Sequence, residues 1–219
     1  FIPARKGSKR IKGKNTVLIN RKPLIKFTLD AALKSKKIKL IIVSTNDAKI
    51  LSLSSSYKNV LFVKRPENLC KDNSSTESAM LHTIKFLEKK KIKVKNLILL
   101  QITSPFRDHK DINNSIEIFK KKKLDSLVSV NKKKIFLWKK IKGHLIPITY
   151  NYNNRKMTQK MKNYFVENGA IFISSVEKFK KTKSRLFKKI GYLEMKQLNS
   201  FEIDDNDDLK YARYISKII

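Results

Sequence analysis

Short apolar runs alternate with longer segments in which apolar residues recur every three or four positions, and this alternation limits the possible folds most. The strongest run, residues 96–101, is continuous, as expected of a strand buried on both faces. A later segment places Ile112 and Ile116 on one helical stripe, with Asp108 or Asp111 as its cap. Strands that alternate with helices at this spacing predict an α/β fold with a doubly wound, mostly parallel sheet.

The same patterns predict the remaining elements of the sheet and its helices. Further strands are predicted at 40–45, 60–63, 125–130, 170–173 and 192–195. Further helices are predicted at 23–33, 46–54 and 175–179, and around Leu209. Pro23 is expected to be the first residue of its helix. Another helix is predicted to follow the capping box from Ser74 to Glu77. The length suits one domain over residues 1–219.

The alternation breaks over residues 132–164. This segment contains Trp138, Pro147 and several tyrosines, alternates weakly and lacks a clear amphipathic helix. We interpret it as a β-hairpin or arm that leaves the sheet, since exposed aromatic residues often form an interface. An ordinary long loop is the alternative.

The first fifteen residues begin with a short apolar stub and continue as a polar loop with two glycines and six cationic side chains. Glycine lets backbone N–H groups approach an anion and cations neutralise it, so the loop suits a polyphosphate. It is not a Walker A loop, because five residues separate Gly7 from Gly13 and Asn15 follows Lys14. A solvated basic loop is the alternative. As a lysine of a flexible loop, Lys14 is expected to bury little surface.

The formal net charge of +33 raises the question of a nucleic-acid partner. Lysine runs at 89–91 and 120–123 end helical segments, where cations complement the helix dipole, and no RNA-recognition, zinc-finger or basic-zipper pattern is present. We therefore interpret the charge as a lysine-rich solvated surface. Nucleic acid is expected to bind only nonspecifically, at low salt.

Several classes of protein are disfavoured by composition. No apolar run approaches the length of a membrane span, so a soluble, cytoplasmic protein without membrane contact is expected. Cys70 is the only cysteine, which excludes an internal disulfide and a thiolate zinc cluster. Three scattered histidines make a histidine metal site improbable.

Acidic residues are scarce and cluster near the carboxyl end. In an extended segment, Glu202 and Asp204 point to the same side. Two carboxylates near a triphosphate loop suit Mg²⁺, which prefers oxygen ligands and substrate phosphates. The alternative is an acidic helix N-terminus, which accounts for Asp205 to Asp208 better than for the first two acids.

Polar segments follow the ends of several predicted strands. They are the opening loop, Ser44-Thr45, Arg65 and residues 101–107. In a parallel α/β sheet, ligands bind beyond the carboxyl ends of the strands. The sequence therefore predicts one shared pocket at this edge.

Five motifs occur in the order found in a known family. They are the opening loop, Arg65-Pro66-Glu67, Gln101-Ile102-Thr103-Ser104-Pro105, Asn168-Gly169-Ala170-Ile171, and Glu202-Ile203-Asp204 followed by Asp208-Leu209. Together they resemble the acylneuraminate (CMP-sialic acid synthetase) cytidylyltransferases over nearly the whole chain. The resemblance implies a Rossmann-like domain, usually homodimeric, that transfers CMP from CTP to the anomeric hydroxyl of a nonulosonic acid and releases pyrophosphate.

The resemblance also implies roles for individual residues. Arg5, Ser8, Lys9, Lys14, Asn15, Arg65, Ser75 and Thr76 would bind the nucleotide, and Gln101, Thr103 and Ser104 would bind the sugar acid. Glu202 and Asp204 would bind Mg²⁺, and residues 132–164 would form the dimerisation arm. Arg5, Lys14 and Asp204 would act in catalysis, the first two by offsetting phosphate charge and Asp204 as a candidate proton acceptor.

Two positions depart from the family pattern, and other assignments stay open. Glu202 stands where the family usually has Asp, and Ile102 replaces the first proline of the third motif; neither change removes a functional group. The sugar is expected to be of the sialic or legionaminic type, with 3-deoxy-octulosonate or pseudaminic acid as alternatives. A non-catalytic protein that binds polyanions or nucleic acid is the alternative from another class.

Overall fold

The computed structural model describes residues 1–218. The strands in this range are β1 (Ile2–Pro3), β2 (Leu18–Ile19), β3 (Lys22–Pro23), β4 (Ile41–Thr45), β5 (Val60–Lys64), β6 (Asn96–Leu100), β7 (Ser126–Lys133), β8 (Trp138–Ile141), β9 (His144–Pro147), β10 (Tyr164–Ser175) and β11 (Ile190–Glu194). The helices are α1 (Leu24–Lys34), α2 (Ala48–Leu51), α3 (Thr76–Lys89), α4 (His109–Lys121), α5 (Val176–Thr182) and α6 (Asn206–Ile218).

Two sets of strands join into one central sheet in the order β5-β4-β1-β6-β10-β7-β11. β1 links the sets, because the Phe1 nitrogen donates to the Ile98 carbonyl at 2.7 Å and the Leu100 nitrogen donates to the Phe1 carbonyl at 3.0 Å. β4 is parallel to β1 and β5, and β11 is parallel to β7. The predicted α/β class with a mostly parallel sheet is confirmed.

β10 is the exception, because it runs antiparallel to both β6 and β7. The chain leaves β7, passes through the 132–164 segment and returns directly beside the same strand without a crossover helix. A strand that returns in this way must run antiparallel to the one it left. The apolar pattern of residues 170–173 predicted a strand but not its direction.

Helices cover both faces of the sheet. On one face, Leu99 and Phe172 pack with residues of α3 and α5. On the other, Leu100 and Ile171 pack with residues of α1, α4 and α6. Successive strand residues thus point into different apolar clusters, which is why the strands read as unbroken apolar runs. This confirms the doubly wound arrangement.

The helix caps show where local patterns succeed and where they fail. Asp108 Oδ1 accepts from the Asp111 nitrogen and Asp111 Oδ2 accepts from the Asp108 nitrogen, so both candidate caps of α4 form one capping box. At α3 the predicted box from Ser74 to Glu77 is wrong. Ser75 is the cap, with Oγ accepting from the Ser78 nitrogen at 3.1 Å.

Pro23 and Glu77 have other roles than those predicted. Pro23 precedes α1 instead of being its first helical residue, because it pairs with Leu18 in the β2–β3 ribbon. Glu77 accepts a 2.6 Å hydrogen bond from Arg185 Nε, which holds the first turn of α3 to the segment before β11.

The 132–164 segment contains a β-hairpin rather than an ordinary loop. β8 and β9 pair from Trp138↔Pro147 to Ile141↔His144, and Gly143 takes a positive φ of 87° in the turn between them. β7 and β10 extend into the segment at its two ends. Exposed apolar residues of this arm include Leu137, Trp138, Leu145, Ile146, Ile148 and Tyr152. Its role in dimerisation stays a prediction.

Within residues 1–218, every helix is too short or too polar to cross a lipid bilayer.

Candidate active site

A cleft of about 430 Å³ lies beyond the carboxyl ends of β1 and β5. The opening loop forms one wall and the start of α3 forms the other. All the residues predicted to bind a nucleotide line it: Arg5, Ser8, Lys9, Lys14, Asn15, Arg65, Ser75 and Thr76. The structure thus brings together residues from three separate motifs, and their role toward a nucleotide stays a prediction.

The opening loop is folded back on itself. Asn15 Nδ2 donates to the Arg5 carbonyl at 2.9 Å, which closes the loop. Its entrance is fixed to β4, because Thr45 Oγ1 donates to the Ala4 carbonyl at 2.6 Å. Gly13, with φ of 64°, begins the single 3₁₀ turn that carries Lys14. The cationic side chains therefore project from an anchored backbone.

Asp72 faces this loop, and sequence reasoning missed it. It lies within ion-pair distance of Arg5, at 3.2 Å, and of Lys9, at 2.7 Å. Hydrogen bonds from Lys9 and then Arg5 hold the pKa of Asp72 below its usual value. An anion that entered the cleft would compete with Asp72 for these two cations. No sequence pattern marks Asp72, because the contact depends on the fold.

The start of α3 opens into the same cleft. Ser75 caps this helix of 14 residues and Thr76 is its first residue. The unpaired N–H groups and dipole of a helix N-terminus attract anions. Together with the cations of the opening loop, this end of α3 makes the cleft suited to a phosphate chain.

Arg65 lines the cleft but is mostly engaged with the protein. It is 4% exposed, and its Nε and Nη2 donate to the hydroxyl and carbonyl oxygens of Ser44 at 3.0 and 2.9 Å. Burial lowers the pKa of its guanidinium. Arg65 therefore fixes the ends of β4 and β5, on which the cleft is built.

The two ends of the chain meet beside the cleft. Lys14 Nζ lies 3.5 Å from Asp204 Oδ1, and Arg10 Nη1 lies 3.3 Å from the same oxygen. Lys14 is only 8% exposed, so the expectation that it buries little surface is wrong. Burial lowers the pKa of Lys14, and the opposing effect of Asp204 is smaller. Sequence reasoning missed the contact of Arg10.

Glu202 and Asp204 are both half-buried and stand on either side of Ile203, and their orientation to one side of the segment stays a prediction. Ile203 between them is fully buried, and its nitrogen donates to the Thr103 carbonyl at 2.8 Å. Thr103 Oγ1 also donates to Glu202 Oε1 at 3.0 Å. Burial, reinforced by the charge of Asp204, raises the pKa of Glu202 despite the Thr103 hydrogen bond.

The acids that follow have a structural role. Asp205 Oδ1 accepts from the Asp208 nitrogen at 3.0 Å, and Asp208 Oδ2 accepts from the Asp204 nitrogen at 2.8 Å. The helix-terminus interpretation is therefore correct for these two residues. It does not account for Glu202, whose carboxylate is bound by Thr103 instead.

The donor set fits a Mg²⁺ ion that binds together with phosphates. In the part of the chain that the structure describes, no three His, Cys, Asp or Glu residues cluster as metal ligands. Mg²⁺ commonly takes one or two carboxylates and completes its shell with water and phosphate oxygens. A cation beside the half-buried Glu202 would also offset the cost of its charge. The Mg²⁺ site stays a proposal.

The residues predicted to bind the sugar lie beside these acids. Gln101 and Thr103 are half-buried in the turn after β6, next to the acidic segment. Ser104 is 0% exposed, which disfavours a direct sugar contact, and its role toward the sugar stays a prediction. Of the segments predicted to share one pocket at this edge, the opening loop and Arg65 line the cleft, whereas Ser44-Thr45 and turn 101–107 are not part of its lining.

Arg107 supports this turn from inside the core. Its Nη1 donates to the carbonyls of Gln101 and Ala170, both at 3.0 Å, and its Nη2 donates to Thr28 Oγ1 at 2.9 Å. Burial lowers the pKa of Arg107 to about 10. A buried arginine after a turn has no sequence signal that separates it from an exposed one.

Comparison with known proteins assigns the chain to a protein family. Residues 1–214 match a family model described as cytidylyltransferase. The chain belongs to the cytidylyltransferase family. The family resemblance of the sequence motifs is therefore confirmed.

Similar proteins include enzymes that activate nonulosonic acids with CMP. The chain is 30% identical to an N-acylneuraminate cytidylyltransferase of Escherichia coli O18:K1:H7, over 97% of its own length and 50% of the relative. It is 38% identical to a CMP-N,N′-diacetyllegionaminic acid synthase of Legionella pneumophila, over 54% of this chain and 51% of the relative. The chain thus spans about half the length of these curated relatives.

A solved structure shares the fold. A CMP:2-keto-3-deoxy-manno-octonic acid synthetase complexed with CTP aligns with a TM-score of 0.70 at 15% identity, over 99% of this chain and 97% of that one. This match confirms the Rossmann-like architecture.

Proposed function

We propose that this protein transfers CMP from CTP to the anomeric hydroxyl of a nonulosonic acid of the sialic or legionaminic type, with release of pyrophosphate. The observation that carries the proposal is the meeting of Lys14 and Asp204 at the edge of the cationic cleft. The activities named for the two relatives, on N-acylneuraminate and on N,N′-diacetyllegionaminic acid, support this class of acceptor.

The cleft supplies the groups that a nucleoside triphosphate requires. Arg5, Lys9 and Lys14 would neutralise the phosphates, and the N-terminus of α3 would add backbone donors. Ser75 and Thr76 place two hydroxyls at that terminus. Binding of the triphosphate would release Arg5 and Lys9 from Asp72, because each cation would then pair with a phosphate instead of the carboxylate.

The transfer step is a displacement at phosphorus. The anomeric oxygen attacks the α-phosphorus of CTP, the bond to the bridging oxygen breaks, and pyrophosphate leaves with the electron pair of that bond. Lys14 and Arg5 would stabilise the developing negative charge on the α-phosphate and the departing pyrophosphate. Asp204 would accept the hydroxyl proton.

Glu202 and Asp204 would hold Mg²⁺, which when bound supplies further neutralisation of phosphate charge. Thr103 orients Glu202, and Asp208 fixes the backbone of Asp204. Gln101 and Thr103 would contact the acceptor sugar from the turn after β6. The residues for donor and acceptor are thus on the two sides of the acidic segment.

We also propose a homodimer that forms through the arm. The exposed apolar residues of residues 132–164 support it, because monomers rarely leave so large an apolar surface in water. With CTP as a substrate, the expected location of the protein is the cytoplasm.

A pyrophosphate-release assay tests the activity. CTP and Mg²⁺ are supplied with sialic, legionaminic, pseudaminic or 3-deoxy-octulosonic acid in turn. Release is expected only with both substrates, strongest with one of the first two acids, and is expected to stop with EDTA. Tight, salt-sensitive binding of RNA without any turnover would contradict the proposal and favour a polyanion-binding protein.

A further inference from the structure

The carboxylate of Glu202 lies between two residues from distant parts of the chain. Thr103 Oγ1 donates a hydrogen bond to its Oε1 at 3.0 Å. On another side lies Gly169, where an added Cβ would be 3.0 Å from Oε1 and 3.4 Å from both Cδ and Oε2. Contacts of 3.0 Å are shorter than carbon and oxygen atoms prefer. Any side chain at position 169 would therefore press on the carboxylate.

Gly169 reaches this position because β10 bulges. The pairing with β7 changes from Glu167↔Val130 to Phe172↔Val128, so β10 has more residues than β7 over this interval. Extra residues make a strand bulge and bend. Gly169 takes φ of 64°, a left-handed conformation that glycine adopts at little cost.

Buried hydrogen bonds hold the bulge in place. Ser129 Oγ donates to Asn168 Oδ1 at 2.6 Å and accepts from the Ile171 nitrogen at 2.8 Å. Asn168 Nδ2 donates to Ser200 Oγ at 2.9 Å, which links the bulge to the segment that leads into Glu202. Ser129 and Asn168 are 0% and 6% exposed, so water does not compete for these bonds.

The bulge is also tied to the turn that carries Thr103. Arg107 Nη1 donates to the carbonyls of both Ala170 and Gln101. The residues on both sides of the Glu202 carboxylate therefore belong to one hydrogen-bonded unit. That unit is assembled from β6, β7 and β10 rather than from the acidic segment itself.

We propose that the Asn168–Gly169 bulge is a positioning element that sets the location of the Glu202 carboxylate, and that glycine is needed at position 169 because a Cβ there would lie only 3.0 Å from Glu202 Oε1 and would displace it. The inference rests on the proposed function, in which Glu202 and Asp204 hold Mg²⁺ with the nucleotide. Small errors in the position of a catalytic group are costly, since a shift of about 1 Å lowers rates by about 100-fold.

A double-mutant cycle tests this inference. Gly169→Ala is expected to lower kcat by about 10-fold and to weaken Mn²⁺ binding in the presence of CTP, measured by electron paramagnetic resonance. In a Glu202→Asp background the same change is expected to cost less than about 3-fold, because the shorter side chain withdraws from the new methyl group. Gly143→Ala is the matched control, since Gly143 also has a positive φ but a Cβ there would have no atom within 4 Å, apart from its chain neighbours, among the described residues.

Crystal structures give a readout that does not depend on turnover. In Gly169→Ala the Glu202 carboxylate is expected to move by a few tenths of an ångström, which would relieve the contact with the new methyl. If Gly169→Ala does not fold, Ser200→Ala is used, and weaker Mn²⁺ binding is expected because the bulge loses its link to the acidic segment. An unmoved carboxylate, or equal loss of Mn²⁺ binding in both backgrounds, would overturn the inference.

The wild-type protein separates this inference from the proposed function. If the wild type releases no pyrophosphate with any acid of the panel, the proposed function fails. The displacement of the carboxylate in Gly169→Ala would still decide whether the bulge positions Glu202.

Discussion

Lys14 and Asp204 are 190 positions apart in the chain, and Lys14 Nζ lies 3.5 Å from both the carboxylate and the carbonyl oxygen of Asp204. Lys14 belongs to the loop after the first strand, and Asp204 belongs to the segment before the last helix. The pairing brings a nearly buried cation and a half-exposed acid to the edge of the cleft. It joins the proposed phosphate site to the proposed metal site.

The positive charge of Lys14 is expected to contribute to catalysis. Lys14→Met removes the charge but keeps most of the buried hydrocarbon, so kcat/KM for CTP should fall by about 100-fold, as when one donor to a developing oxyanion is lost. Steady-state pyrophosphate release measures it. Lys12→Met is the control, because Lys12 is an exposed cation of the same loop. Equal activity of the Lys14 and Lys12 variants would remove Lys14 from the site.

The ion pair between Glu77 and Arg185 is expected to make stability depend on pH. Partial burial alone would raise the pKa of Glu77, but the hydrogen bond from Arg185, a backbone hydrogen bond and the charge of Arg185 together outweigh it and hold the pKa below 4.5. The pair therefore stabilises the fold above pH 4.5, and this stability is lost as the pH falls through the lowered pKa.

Glu77→Gln should lower the free energy of unfolding by about 1–2 kcal/mol at pH 7 and by much less at low pH. Urea denaturation at several pH values measures the difference. Glu177→Gln, which breaks the exposed pair with Lys181, is the matched control and should have a smaller effect at pH 7. A Glu77→Gln effect that does not change with pH would contradict the assignment.

Thr103 and Ser104 are adjacent but are expected to respond differently to substitution. Thr103→Val keeps the side-chain shape and removes the hydrogen bond to Glu202, so kcat should fall by about 10-fold. Ser104→Ala should keep full activity and change the free energy of unfolding by less than about 1 kcal/mol, because the buried hydroxyl has no hydrogen-bond partner within residues 1–218. Turnover and urea denaturation measure both. Inactive Ser104→Ala would restore Ser104 to the sugar site.

The arm is expected to hold two subunits together. Leu145 is 66% exposed at the edge of the β8–β9 hairpin, and Leu145→Glu should weaken dimerisation by at least about 10-fold, because it places a charge in an apolar interface. Sedimentation equilibrium measures the dissociation constant. Tyr214→Glu, at a 69% exposed position on α6, is the control. A wild-type protein that stays monomeric at high concentration would refute the arm as a dimer interface.

Local sequence patterns predicted the helices and strands that are determined by residues close together in the chain. The apolar run of β6 and the stripe of α4 follow from burial on one or both sides, and Asp108 caps its helix through atoms three residues away. The direction of β10 was not predictable, because the same apolar run suits a parallel or an antiparallel strand.

The residues of the candidate site could be predicted from the sequence, but their contacts and their burial could not. The motifs identified the residues of the cleft, yet the contacts of Asp72 and Arg10 and the complete burial of Ser104 depend on segments far apart in the chain. The burial of Lys14 has the same origin. A lysine in a polar loop is normally exposed, and only the packing of the acidic segment against the loop changes that.

Strand β10 connects the arm to the candidate active site. β10 begins at Tyr164, in the arm, and reaches the bulge at Gly169 after five residues, a length of about 17 Å. Because β10 is paired with β7 without interruption from Tyr164 to Glu167, a displacement of the arm by a second subunit would act on the bulge that lies beside the Glu202 carboxylate. Association of the subunits and metal binding in each of them would then be mechanically coupled, and a change at one would be felt at the other.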